Sequence, residues 1–123
     1  LPETVRAVPD IATLRANRAQ LSPADYDRGM HFFLNFGSPA EFEQNEADNL
    51  FRLAEKAKAG GAALPKLILR CGTEDTLALG PNRRFKAHLD ALGIACDYAE
   101  FPGTHSWAFW DEHIQYVLEN LPV

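Results

Sequence analysis

Lys66-Leu67-Ile68-Leu69-Arg70-Cys71-Gly72-Thr73-Glu74-Asp75-Thr76 is the stretch whose reading decides the fold. Pro65 and Gly72 bound a continuous apolar run. A strand covered on both faces needs such a run, which favours a parallel sheet. Gly72 breaks the strand and places Asp75 just beyond its C-terminal end. Further on, Ile94 to Phe101 predicts a second strand, broken at Pro102-Gly103, and that turn delivers His105. Between the two, Gly80-Pro81 opens a helix that runs to Leu92 and stops at Gly93. Its apolar positions Phe85, Leu89 and Leu92 recur at helical spacing, while Arg83, Arg84 and Lys86 are expected to face water. Strand, helix and strand within about 35 residues make a βαβ unit, with a right-handed crossover expected.

Upstream, Leu1 to Pro9 carries two prolines and no period, and reads as a loop or a cut end. Asp10 caps a helix from Ile11 to about Gln20. Ser22-Pro23-Ala24-Asp25 opens another, to about Asn35, with the cap, the proline and the acid all placed to suit the free N–H groups and the dipole. The same punctuation at Ser38-Pro39-Ala40-Glu41 opens one or two turns around Phe42. Met30, Phe32, Phe33, Phe36 and Phe42 are expected to pack helices on a sheet, or else to wall an acyl or aryl pocket. Asp48 is expected to cap a helix from Asn49 to Ala59, ended by Gly60-Gly61. Downstream, a helix from about Ser106 carries a predicted buried stripe of Trp110, Ile114, Val117, Leu118 and Leu121.

The chain has 123 residues, 46% of them apolar, and a formal charge of −5. One domain of moderate core is expected from that length. No basic patch stands out, so no nucleic-acid partner is expected. No apolar run is long enough to cross a bilayer, and no basic start with an apolar core marks a signal peptide, so no membrane partner is expected and the reading is cytoplasmic. Cys71 and Cys96 are the two cysteines. With parallel strands level at their C-terminal ends they stand roughly 15 Å apart, beyond disulfide reach, and read as free thiols. His31, His88 and His113 fall on predicted helices, the latter two expected to be exposed. No His-Glu-x-x-His or Cys/His ligand spacing occurs, and no glycine-rich phosphate loop precedes a helix, so neither metal nor cofactor is expected.

An acid after one strand and a histidine after the next suit hydrolytic chemistry in the order nucleophile, acid, histidine. Parallel strands about 4.8 Å apart bring such loops side by side. There a carboxylate fixes the imidazole tautomer and stabilises the imidazolium. Each residue has a plainer reading alone: Asp75 as a turn or cap residue, His105 as structural. Their joint placement favours the catalytic pair.

Cys71-Gly72-Thr73-Glu74-Asp75, the helix with Asn82 and Phe85, Gly93-Ile94, Phe101-Pro102-Gly103-Thr104-His105-Ser106-Trp107 and Trp110-Asp111 resemble the esterase family of α/β-hydrolases, which includes S-formylglutathione hydrolase, tributyrin and acetyl esterases, and feruloyl esterases. The resemblance covers Lys66 to Leu121. More loosely, Phe36-Gly37-Ser38-Pro39 to Leu53 is similar to the variable insert preceding the acid strand. It implies Asp75 as triad acid, His105 as triad base, and Trp107 lining the entrance of the site as a substrate-binding residue.

The departure from the family is large. Its serine sits in Gly-x-Ser-x-Gly at a strand-to-helix elbow. Here the serines are Ser22, Ser38 and Ser106, and none has that setting. Ser22 and Ser38 read as caps, and Ser106 adjoins the histidine. The family's oxyanion-hole loop is missing too. Two strands cannot complete a doubly wound sheet, and the first would keep an open edge.

The expected fold class is therefore the C-terminal portion of an α/β-hydrolase: few parallel strands flanked by helices, in an incomplete sheet. Residues 1–64 form a helical insert or lid-like region, and residues 65–123 a βαβα unit. The expected function is a serine-type carboxylic-ester hydrolase on a small-molecule ester, with the nucleophile upstream. The 123 residues alone are expected to be inactive. Expected partners are the missing N-terminal half or a second copy. The alternative is a non-catalytic α/β module that binds or self-associates through its open sheet edge.

Overall fold

The computed structural model describes residues 3–45, 47–61 and 63–121. The chain divides into two units between Lys56 and Ala57.

The first unit is helical. Its elements are α1 (Glu3–Arg6), α2 (Ile11–Ala16), a 3₁₀ turn (Arg18–Gln20), α3 (Pro23–Phe36) and α4 (Pro39–Gln44). The stretch read as a loop thus holds one helical turn, and it matters: Val5 and Val8 are buried with Leu14, Phe32 and Phe33. A single turn is too short for a periodic signal, so only the i, i+3 spacing of the two valines marked it. Asp10 caps α2 by accepting from the Thr13 N–H at 2.7 Å. The α2 helix ends four residues early, and the 3₁₀ turn carries the chain to Gln20. The rings of Phe32, Phe36 and Phe42 meet at 5.2–5.5 Å between centroids. They pack helix against helix, because no strand lies in this unit among the described residues.

Helix α5 (Leu50–Ala59) crosses the division. Its cap is Asn49, not Asp48: Asn49 Oδ1 accepts from the Phe51 N–H at 3.0 Å. The Asp48 carboxylate instead accepts from Asn45 Nδ2 at 2.9 Å. Both are cap-forming types one residue apart, and sequence alone does not separate them.

In the second unit β1 (Leu67–Gly72) and β2 (Cys96–Phe101) form a parallel pair, with Leu67 opposite Cys96 and Gly72 opposite Phe101. Both cysteines are free. The second strand starts two residues later than predicted. Helix α6 (Leu79–Ala91) ends at Gly93, whose φ is +65°. There the Ile94 N–H donates to Leu89 O and the Gly93 N–H to Asp90 O. This paired cap uses the Ile94 donor for the helix end, so it is not available to the ladder.

The two helices of this unit cover opposite faces of the pair. Arg83 of α6 reaches Glu100, which shares a face with Cys71. From α7 (Trp107–Glu119), Tyr116 reaches Asp97 and lies under the Arg70 guanidinium, while His113 stacks on Phe101. His88 and His113 are half-buried, not exposed as predicted, and so are Arg84 and Lys86.

The predicted buried stripe of α7 is not buried. Ile114, Leu118 and Leu121 are 46%, 61% and 47% exposed, and Trp110 is 37% exposed. The strand pair gives α7 too little surface to cover. Full burial of one such side chain is worth about 1.5–3 kcal/mol, and much of that is forgone here. The helical period shows which face is apolar, not whether a partner covers it. Among the described residues no helix is long and apolar enough to cross a membrane.

Candidate active site

Site geometry begins at the end of β1. The Thr73 N–H donates to Phe101 O at 2.8 Å, extending the parallel pairing one step beyond the strand. The chain then turns, with the Asp75 N–H donating to Gly72 O at 3.1 Å. Asp75 emerges 4% exposed, as one of the few buried polar residues.

Its two oxygens have different partners. Oδ1 accepts from the backbone N–H groups of Leu77 and Ala78, at 3.1 and 2.8 Å. Oδ2 lies 2.8 Å from His105 Nδ1. Burial pushes the carboxyl pKa up. The His105 hydrogen bond, the Ala78 N–H and the remaining attractions outweigh that, and hold it below the ordinary value of 3.8. Asp75 is therefore a carboxylate at neutral pH. A carboxylate only accepts, so the proton between the two sits on His105 Nδ1. That leaves the Nε2 lone pair of a neutral imidazole free to take another proton.

The imidazole is half exposed, with 47% of the side chain open to solvent. Trp110 packs edge-on against it, with centroids 4.9 Å apart and planes at 89°. Trp107 meets Trp110 at 5.0 Å and is itself 82% exposed. Three aromatic rings thus run outward from the acid: His105, Trp110, Trp107. The Trp110 contact was missed in the sequence, where this residue was assigned to the buried stripe. The signal lay in its position one helical turn after the Ser106 cap, which points it back at the histidine loop.

A groove of about 570 Å³ runs between β1 and α7, lined by residues including Ile68, Arg70, Trp107, Phe109, Trp110 and Ile114. Neither Asp75 nor His105 lines it. It is the largely apolar space left between β1 and α7, and it reaches the acid–histidine pair only through the two tryptophans.

All three serines are spent as helix caps. The Ser22, Ser38 and Ser106 hydroxyls accept from the Asp25, Glu41 and Phe109 N–H groups respectively. Glu41 returns the bond to Ser38, completing a capping box. None is placed as a nucleophile for His105. Among the described residues no group of three His, Cys, Asp or Glu side chains could hold a metal ion.

No family model matches the chain. Over 67 residues, 54% of its length, the chain is 34% identical to an acetyl esterase of Caldicellulosiruptor saccharolyticus. That match covers 25% of the esterase, so the chain spans about a quarter of the relative it matches. The chain therefore resembles an esterase over about half its length. Its helices and two-stranded parallel sheet are compatible with part of an α/β domain.

Proposed function

We propose that this chain carries the acid and the base of a serine-type carboxylic-ester hydrolase, Asp75 and His105, with the nucleophilic serine outside these 123 residues. The observation that supports this reading most is the 2.8 Å contact of Asp75 Oδ2 with His105 Nδ1 at the tips of two adjacent parallel strands. The similar protein is named acetyl esterase, which supports an ester substrate in this reading.

In this mechanism His105 Nε2 removes the serine proton as the serine oxygen attacks the ester carbonyl. Asp75 keeps the imidazole in the Nδ1–H tautomer and stabilises the imidazolium. His105 then gives its proton to the departing alcohol oxygen as the ester C–O bond breaks, leaving an acyl-serine. A water molecule, deprotonated by His105, releases the carboxylic acid and restores the serine. Trp107, with Trp110 behind it, flanks the entrance on the histidine side.

The test uses a protein that joins this chain to its Gly-x-Ser-x-Gly half, with p-nitrophenyl acetate as substrate. His105→Ala is expected to lower kcat by about 10⁴-fold or more. Near-normal turnover in that variant rejects the assignment. The 123 residues alone are expected to show no turnover above the same variant.

A second reading is supported by one observation, the exposed apolar face of α7 beside β1. In it the chain is a non-catalytic module that binds a partner or a second copy there, and the His105→Ala variant has no activity to lose.

A further inference from the structure

Glu74, one residue before the acid, makes two bonds to Gly103. Its carboxylate accepts from the Gly103 N–H, and its own N–H donates to Gly103 O at 3.0 Å. Gly103 lies two residues before His105 on the turn Pro102-Gly103-Thr104. Consecutive residues of the first loop therefore hold alternate residues of the second: Glu74 holds Gly103, and Asp75 holds His105. Thr73 adds a third rung through Phe101 O.

We propose that Glu74 is a positioning residue for His105. The turn it holds needs holding. Gly103 has a φ of +146°, a region open mainly to glycine, so its backbone is intrinsically free. Asp75 alone grips a half-exposed imidazole by one hydrogen bond, and that bond forms only if the loop presents Nδ1 at the right place. The Glu74 carboxylate removes the freedom from the backbone side. A bond from an ionised acceptor to an N–H is among the stronger kinds, which suits a clamp in an exposed position. Among the described residues Glu74 caps no helix and pairs with no cation; apart from Gly103, its carboxylate accepts from the neighbouring Thr73 hydroxyl at 3.2 Å.

The proposal rests on the hydrolase reading for its catalytic meaning, yet its test needs no substrate. The ¹⁵N shifts of the His105 imidazole, measured in this chain at alkaline pH so that only the neutral ring is observed, report which nitrogen bears the proton. In the unaltered protein the Nδ1–H tautomer is expected to dominate. In Glu74→Ala, the turn is released and His105 is expected to revert to the Nε2–H form. Glu74→Asp keeps the charge but pulls the carboxylate back by about 1.5 Å, and is expected to do the same. Glu74→Gln still offers an oxygen to the Gly103 N–H and is expected to restore the Nδ1–H form. This pattern with unchanged Tm is not what a merely structural residue would give. Retention of the Nδ1–H tautomer in folded Glu74→Asp or Glu74→Ala overturns the proposal and leaves the hydrolase reading standing. An Nε2–H tautomer in the unaltered protein overturns both. Failure of turnover in the joined enzyme, with the tautomer pattern as expected, rejects the hydrolase alone.

Discussion

The Gly103 carbonyl lies so close to the Gly72 α-carbon that a Cβ added to Gly72 would stand 2.1 Å from its oxygen. Backbone meets backbone there, and neither side is a flexible end that can move away. This contact brings the loop after β2 within reach of the loop after β1. Gly72→Ala is therefore expected to force the histidine turn outward and to destabilise the second unit by about 1–3 kcal/mol, read as a lower urea midpoint. A midpoint equal to that of the unaltered protein would show that the loops are not seated on each other as described.

Asp75 sets an acid dependence with a definite sign. Its folded pKa lies below the ordinary 3.8, so folding favours the charged form. The resulting stability is present at neutral pH and is lost as pH falls below about 3.8, through the folded value. Asp75→Asn lacks this term. The stability gap between the unaltered protein and Asp75→Asn is expected to be largest near pH 7 and to narrow below pH 4, in urea titrations run across that range. A gap of constant size would remove the ionised carboxylate from the account.

Glu100 links α6 to β2. Arg83 donates to both of its oxygens, at 2.8 and 2.7 Å, and the Tyr98 hydroxyl donates at 2.6 Å. The Arg83 bonds, then the Tyr98 bond, pull Glu100 down to about 2. Burial first, and Glu100 second, push the Tyr98 phenol well above its ordinary 10. A phenol that holds its proton more tightly when folded stabilises the fold below pH 10, and that stability is lost as pH rises beyond it. Phenolate absorbance is expected to show Tyr98 ionising late, and Glu100→Gln is expected to move it part of the way back, since burial remains. An unmoved titration would leave burial as the whole cause.

The exposed face of α7 predicts association. Ile114, Leu118 and Leu121, with Trp110, present apolar surface that nothing among the described residues of the second unit covers. At micromolar concentration the 123 residues are expected to sediment as more than a monomer. Ile114→Glu with Leu118→Glu is expected to return them to monomer with little loss of fold, because both positions are already half exposed. A monomer before substitution would count against both the incomplete sheet and the binding-module reading.

Much of the candidate site was legible because it depends on punctuation. Gly72, Pro102-Gly103 and the cap serines are residues whose backbone demands admit few readings, and they place strand ends and helix starts. The parallel pairing followed from the two-sided apolar run at Leu67-Ile68-Leu69. Besides the exposure of the α7 stripe and the Trp110 contact, three further features were not legible. Val5 and Val8 sit in a turn too short to show a period. Asn49 and Asp48 compete for one cap with nearly equal fitness. The role of Glu74 depends on a contact 29 residues away, and a lone acid beside another acid carries no local sign of that.

One carboxylate serves two structures at once: Asp75 ties down the turn leading into α6 with one oxygen and the imidazole with the other. The helix and the histidine are thereby mechanically ganged. Those anchoring donors are the backbone N–H groups of Leu77 and Ala78, so their side chains are free to vary, but a proline at either position would take away a donor and let the acid swing from its partner.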